Sequence, residues 1–188
     1  MQFIKKLQKI ASGHLVLSLF IVTMIVYLLI VLYSIPAVVS QAPGMRLFDM
    51  SPIGYSPAYA ESLLRAIGPE GRALYLKRQL PIDLFYPGLF AVTFTLMLVW
   101  LFGKSLEAKS KVFLLALVPA AAGVFDYLEN VAIFLMLKSF PTISPMLVHV
   151  SSMFSILKSM LTIAIYLLLC YGVLLLFINR KHTQKTHK

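Results

Sequence analysis

Four stretches of this chain are long and apolar enough to cross a hydrocarbon core, and nothing else in it constrains the fold as strongly. A crossing helix needs about 20 mostly apolar residues. Residues 14–36, 84–103, 112–137 and 146–178 meet that length. With 60% hydrophobic and only 13% charged residues in 188, a soluble globular class is excluded. The expected fold is all-α: one membrane domain over residues 1–188, with four transmembrane helices and a short amphipathic helical cap at 41–82 between the first two.

Lysine and arginine placement predicts the orientation, because short basic segments stay on the cytoplasmic side. Lys5, Lys6 and Lys9 precede the first span. Lys104, Lys109 and Lys111 link the second and third spans against a single acid, Glu107, and Arg180, Lys181, Lys185 and Lys188 sit in the tail at 179–188. The link between the third and fourth spans has only Lys138. Both termini are therefore expected to be cytoplasmic, in a cell (plasma or inner) membrane. The net charge of +10 is largely this pattern. Basic segments also attract anionic lipid headgroups, at about 1 kcal/mol per residue. No basic stripe is interleaved with exposed aromatics, so nucleic acid is not an expected partner. The first apolar stretch far exceeds the ~7–15 residues of a signal-peptide core, which predicts a retained anchor although Val38-Val39-Ser40 is formally cleavable. The lone Cys170 rules out an internal disulfide and reads as a packing residue.

The segment at 41–82 is too short for an independent core. Its first part, to residue 53, is rich in Gly, Pro and Ser and reads as irregular. Ser56-Pro57 is a helix start and Gly68-Pro69 a stop. A second short helix is expected over 70–79, closed by Pro81, with Arg72 or Arg78 available to face an anionic ligand. Two short amphipathic helices before a span suggest a cap on the bundle.

Within this region Gly54-Tyr55-Ser56, Ala60, Leu64, Gly68, Gly71-Arg72, Tyr75, Asp83 and Tyr86-Pro87 form a loose pattern, and Phe125-Asp126-Tyr127-Leu128-Glu129-Asn130 forms a second. Together they resemble a family of small prokaryotic four-span integral membrane proteins, over about residues 54–160. The resemblance implies the architecture and the choice of residues, and no reaction.

Asp126 and Glu129, three residues apart in the third span, share a helix face inside the membrane. Ionisable groups there are costly and mark functional sites by default. Lys158 in the fourth span is their expected counter-charge. Counted at ~1.5 Å per residue from the cytoplasmic ends, Asp126 lies ~21 Å up, Glu129 ~25 Å and Lys158 ~30 Å, with Asp83 near the same level. The charges should therefore gather below the cap, towards the outer leaflet. At 100° per residue Ala116, Ala120, Gly123, Tyr127 and Asn130 share one side of the third helix, with Asp126 beside them. In the fourth, Ser151, Ser155, Lys158, Thr162 and Tyr166 form a polar stripe that should face it.

Asp126, Glu129 and Lys158 are the expected catalytic group, with Asp83, Arg72, Asn130 and Ser155 as ligand-binding candidates. One lysine cannot neutralise several carboxylates, and an acid left over is suited to proton transfer. His149 falls off the stripe, the paired-histidine zinc spacings are missing, and His182 and His187 read as solvated tail. No metal is expected, and the absence of a phosphate-cradling loop or nucleotide fingerprint leaves no cofactor expected. Two functions follow as expectations: acid–base chemistry on, or binding of, a lipid-like ligand; or a structural or assembly subunit whose charges are helix-packing ion pairs. Membrane lipid, a second copy or another membrane protein are the matching partners.

Overall fold

The structure is a computed structural model that describes residues 2–107 and 110–185, with side chains from Phe3 to Ile178 apart from residues 108 and 109. Lys109 and the charged side chains of the tail (Arg180, Lys181, His182, Lys185, His187, Lys188) lie outside the described residues. Among the described residues the chain is helical and has no strand.

Helix α1 (Gln2–Ile10) is followed by α2 (Gly13–Leu29), whose N-cap Ser12 accepts from the Leu15 amide. A π-turn at Ile30–Ser34 leads into α3 (Ile35–Val39). The cap holds a 3-10 turn (Phe48–Met50), α4 (Pro57–Ala66) and α5 (Gly68–Leu74), then a second π-turn (Tyr75–Gln79) and α6 (Leu80–Asp83). Helix α7 (Tyr86–Gly103), a 3-10 segment (Lys111–Leu117), α8 (Val118–Ser139) and α9 (Pro145–Lys185) complete the bundle. Among the described residues four helical stretches are long and apolar enough to cross a membrane: Gly13–Val39, Gly68–Gly103, Lys111–Ser139 and Pro145–Ile178.

Proline explains the irregular turns. It donates no N–H and its ring clashes with the carbonyl four residues back, so the turn before it must change pitch. Pro36 and Pro81 each follow a widened π-turn, and Pro119 follows the tighter 3-10 segment. This corrects the expectation that Pro81 ends the second cap helix. The wider turn accommodates the ring, and the helix runs on through Asp83 before a break at 84 and 85. The two π-turns pack on one another, with the Arg78 guanidinium 3.4 Å above the Tyr33 ring.

Helix α8 is central, packing most extensively on α9 and next on α7. Gly123 makes the α7 contact possible, because a Cβ there would lie 2.8 Å from the Pro87 carbonyl oxygen. Helix α2 leans on α7 through a buried hydrogen bond of 2.8 Å between the hydroxyls of Thr23 and Thr93. Outward stripes of large apolar residues, Leu17, Ile21, Ile25 and Leu28 on α2 and Val124, Leu128, Val131 and Leu135 on α8, form the surface that lipid would cover.

At one end the cap core (Leu47, Phe48, Leu63, Leu64, Ile67, Tyr75) closes on Ile133, Met136 and Val148 of the bundle, so the cap borrows its core from α8 and α9. The stretch at 41–53, expected to be irregular, does contain one 3-10 turn and buries Leu47 and Phe48 completely. At the opposite end α1 lays Ile4 and Leu7 against Phe102 and Phe113, with Lys5, Lys6 and Lys9 exposed.

Candidate functional site: an ion-pair cluster beneath the cap

The facing faces of α8 and α9 bring their charges together. Lys158 Nζ lies 3.0 Å from Asp126 Oδ1 and 2.5 Å from Glu129 Oε2. One turn separates the two acids on α8, so a single ammonium from α9 spans both. Ser155, one turn from Lys158, donates to Glu129 Oε1 and also to the Ser151 carbonyl at 3.3 Å. Glu129 is therefore held on both oxygens and is fully buried.

Asp126 sits differently. It lines two cavities, and Lys158 lines both with it. The larger, about 350 Å³, is a groove between α2, α7, α8 and α9 walled by Tyr27, Tyr86, Phe90, Thr162, Ile163 and Tyr166. Its outer lip is lipid-facing surface, since Ile163 and Tyr166 are 61% and 53% exposed. The smaller, about 250 Å³, lies under the cap and adds Asp49 and Asp83 to Asp126 and Lys158. Asp83, 6% exposed, accepts from Asn130 Nδ2 at 2.9 Å. Asp49 accepts from the Tyr75 hydroxyl at 2.9 Å and from Gln79 Nε2 at 2.7 Å.

Asp126, Glu129, Lys158, Asp83, Asn130 and Ser155 thus converge, Ser155 on Glu129 and Asn130 on Asp83. Arg72 does not join them. Its guanidinium donates to the Leu64 carbonyl at 2.7 Å and stacks 4.3 Å from the Phe140 ring, so it ties cap to bundle. Arg78 is equally committed, to Tyr33. His149 is exposed on α9, away from the acids. Ala120 and Tyr127, expected on the inner side of the third helix, are exposed at its rim. Two neighbours divide the buried face of α8: Gly123 meets α7, while Asp126 and Glu129 meet α9. The Tyr127 hydroxyl instead donates to the Leu84 carbonyl at 3.0 Å, at the break before α7.

Asp49 and Tyr55 are the residues that sequence reasoning missed as site neighbours. The signal for Asp49 was its place beside the strongly apolar Leu47-Phe48, whose burial pulls it inward. Tyr55 reaches α9: its amide donates to Ser152 Oγ at 2.8 Å and its hydroxyl lies 2.6 Å from Ser151 Oγ. Comparison with protein families, curated proteins and solved structures finds no match to this chain.

Proposed function

We propose that this multi-pass protein receives the polar end of a lipid-like molecule at Asp126 and Lys158 and carries out acid–base chemistry there. The observation that carries the reading is the double exposure of that ion pair, to the flank groove and to the chamber beneath the cap. An amphiphile fits such a site. Its apolar part would lie along Phe90, Ile163 and Tyr166, while its polar end meets a fixed cation and carboxylate. Lys158 then acts as counter-charge, Asp126 as the acid in contact with the ligand, and Glu129 as the acid behind it that exchanges the proton.

The proposed orientation puts both termini in the cytoplasm of the cell membrane. The exposed lysines of α1, Lys104 and Lys111 then face the cytoplasm, and the cap with its groove faces the outer leaflet. A second reading is favoured by one observation, the complete enclosure of Glu129 between Ser155 and Lys158. In it, the cluster is internal glue that sets the register of α8 on α9 within a membrane assembly.

The test is mass spectrometry of molecules that co-purify with the protein in mild detergent, wild type against Asp126→Asn, with both proteins shown to be folded. Loss of a specific amphiphile by tenfold or more in the variant supports the site. Identical lipid content in the two proteins refutes ligand binding and leaves the structural reading.

A further inference from the structure

The proposed role needs protons at Glu129, yet neither the flank groove nor the chamber beneath the cap is lined by that residue, and it is fully buried. We propose that a hydroxyl relay through Tyr55 and Ser155, with Ser151 bracing the phenol, connects Glu129 to water at the surface of the cap. The inference rests on the proton-exchanging role given to Glu129 and supplies its route.

The outer end of the relay is a cleft of about 300 Å³ lined by Arg46, Ser51, Ile53, Gly54, Tyr55 and Tyr59. Arg46 is exposed and Ile53 is 86% exposed, so the cleft meets solvent. From there the Tyr55 side chain points inward, its oxygen 2.6 Å from Ser151 Oγ and facing Ser155 as well. Ser155 donates directly to Glu129. Beyond Glu129, the Lys158 ammonium leads to Asp126 and the ligand groove.

Each hydroxyl can accept one proton while passing on its own. As a hydronium ion in the cleft protonates the Tyr55 oxygen, the phenolic proton moves to Ser155 Oγ, and the Ser155 proton moves to Glu129 Oε1. The hydronium is left as water, and within the protein the only group whose charge changes is Glu129, which becomes neutral. Burial, the leading effect, together with the negative charge of Glu129, holds the Tyr55 hydroxyl well above the usual phenol range, so it is protonated at neutral pH and relays by exchange. Charged and titratable groups around the inner end are Lys158 and Asp126, with Tyr75 and Asp49 on the cap side.

The loop geometry sets Tyr55 against α9. Gly54 has φ +79°, a conformation that favours glycine, and a Cβ there would run into the Ser152 side chain. The chain therefore approaches α9 closely enough for the Tyr55 amide to bond Ser152, and that anchor does not depend on the phenol. Tyr55→Phe removes the relay hydroxyl and leaves the anchor.

The experiment is time-resolved infrared spectroscopy of the protein in liposomes after a pH jump. Carboxyl bands are assigned by their loss in Glu129→Gln and in Asp126→Asn. Tyr55→Phe is expected to slow protonation of the Glu129 band at least tenfold and to leave the Asp126 band unchanged, since Asp126 meets the cavities directly. Tyr59→Phe, in the same cleft, should leave both unchanged. Equal Glu129 rates in wild type and Tyr55→Phe would overturn the relay, as would the lack of any titrating band that disappears in Glu129→Gln. Lipid retention measured on the same Tyr55→Phe protein separates the two proposals. A slowed Glu129 with no bound amphiphile in any variant defeats the ligand reading and leaves the relay standing.

Discussion

Removing Lys158 should be far more damaging than removing Asp126, although the two form one ion pair. Lys158 holds Asp126 at 3.0 Å and Glu129 at 2.5 Å, and both carboxylates come from the same helix. Lys158→Met keeps much of the volume but leaves two buried acids facing each other with no cation. Breaking a buried pair from one side costs about 3–5 kcal/mol. Asp126→Asn removes one charge, but its amide oxygen still accepts from Lys158, and the bond to Glu129 survives. The loss is then the difference between an ion pair and a bond from the same ammonium to a neutral oxygen, about 1 kcal/mol. At roughly 2–4 °C per kcal/mol for a chain of this size, Lys158→Met should melt on the order of 10 °C lower and Asp126→Asn about 3 °C lower. Thermal unfolding followed by circular dichroism in one detergent at one scan rate measures both. The triple variant Lys158→Met/Asp126→Asn/Glu129→Gln should recover most of the loss, because a cluster removed whole leaves no orphan charge. A Lys158→Met protein within about 1–2 °C of wild type, or a triple variant less stable than Lys158→Met alone, would show that Lys158 does not neutralise the two acids.

Three further outcomes follow from the packing. Gly123→Val should force α7 from α8, because even a Cβ at 123 meets the Pro87 oxygen and Ala91; a loss of folded protein in size-exclusion chromatography is expected, with Ala121→Val at an exposed position as control. Gly54→Ala strains the backbone and strikes Ser152, so a destabilisation of about 1–3 kcal/mol should appear as faster proteolysis of the cap. Thr93→Val removes the buried bond to Thr23 at a cost of about 0.6–1.5 kcal/mol, and Thr23→Val/Thr93→Val should be no worse than either single change, read as melting temperature.

The cluster was legible to different depths. Helical spacing alone places Asp126 and Glu129 on one face, and the length of the spans places Lys158 at their level. Asp83 and Asn130 were also readable, since each lies in or beside a span whose register is set by periodicity. The cap was less legible. Pro81 reads locally as a stop, but the π-turn that absorbs it depends on packing against its counterpart at Ile30–Ser34. Arg72 looks free on an amphipathic helix, and only the approach of Phe140 and the Leu64 carbonyl reveals its commitment.

What the sequence determined by itself is the all-helical membrane architecture and the face on which the intramembrane charges lie. Both follow from rules local to a segment: lipid requires the backbone to satisfy its own hydrogen bonds, and a helix repeats every 3.6 residues. Helix packing and the cap's docking determine which acid meets a cavity and which is enclosed, and bring Asp49 and Tyr55 in from the cap. Those depend on the approach of segments far apart in the chain, which no periodicity within one segment encodes.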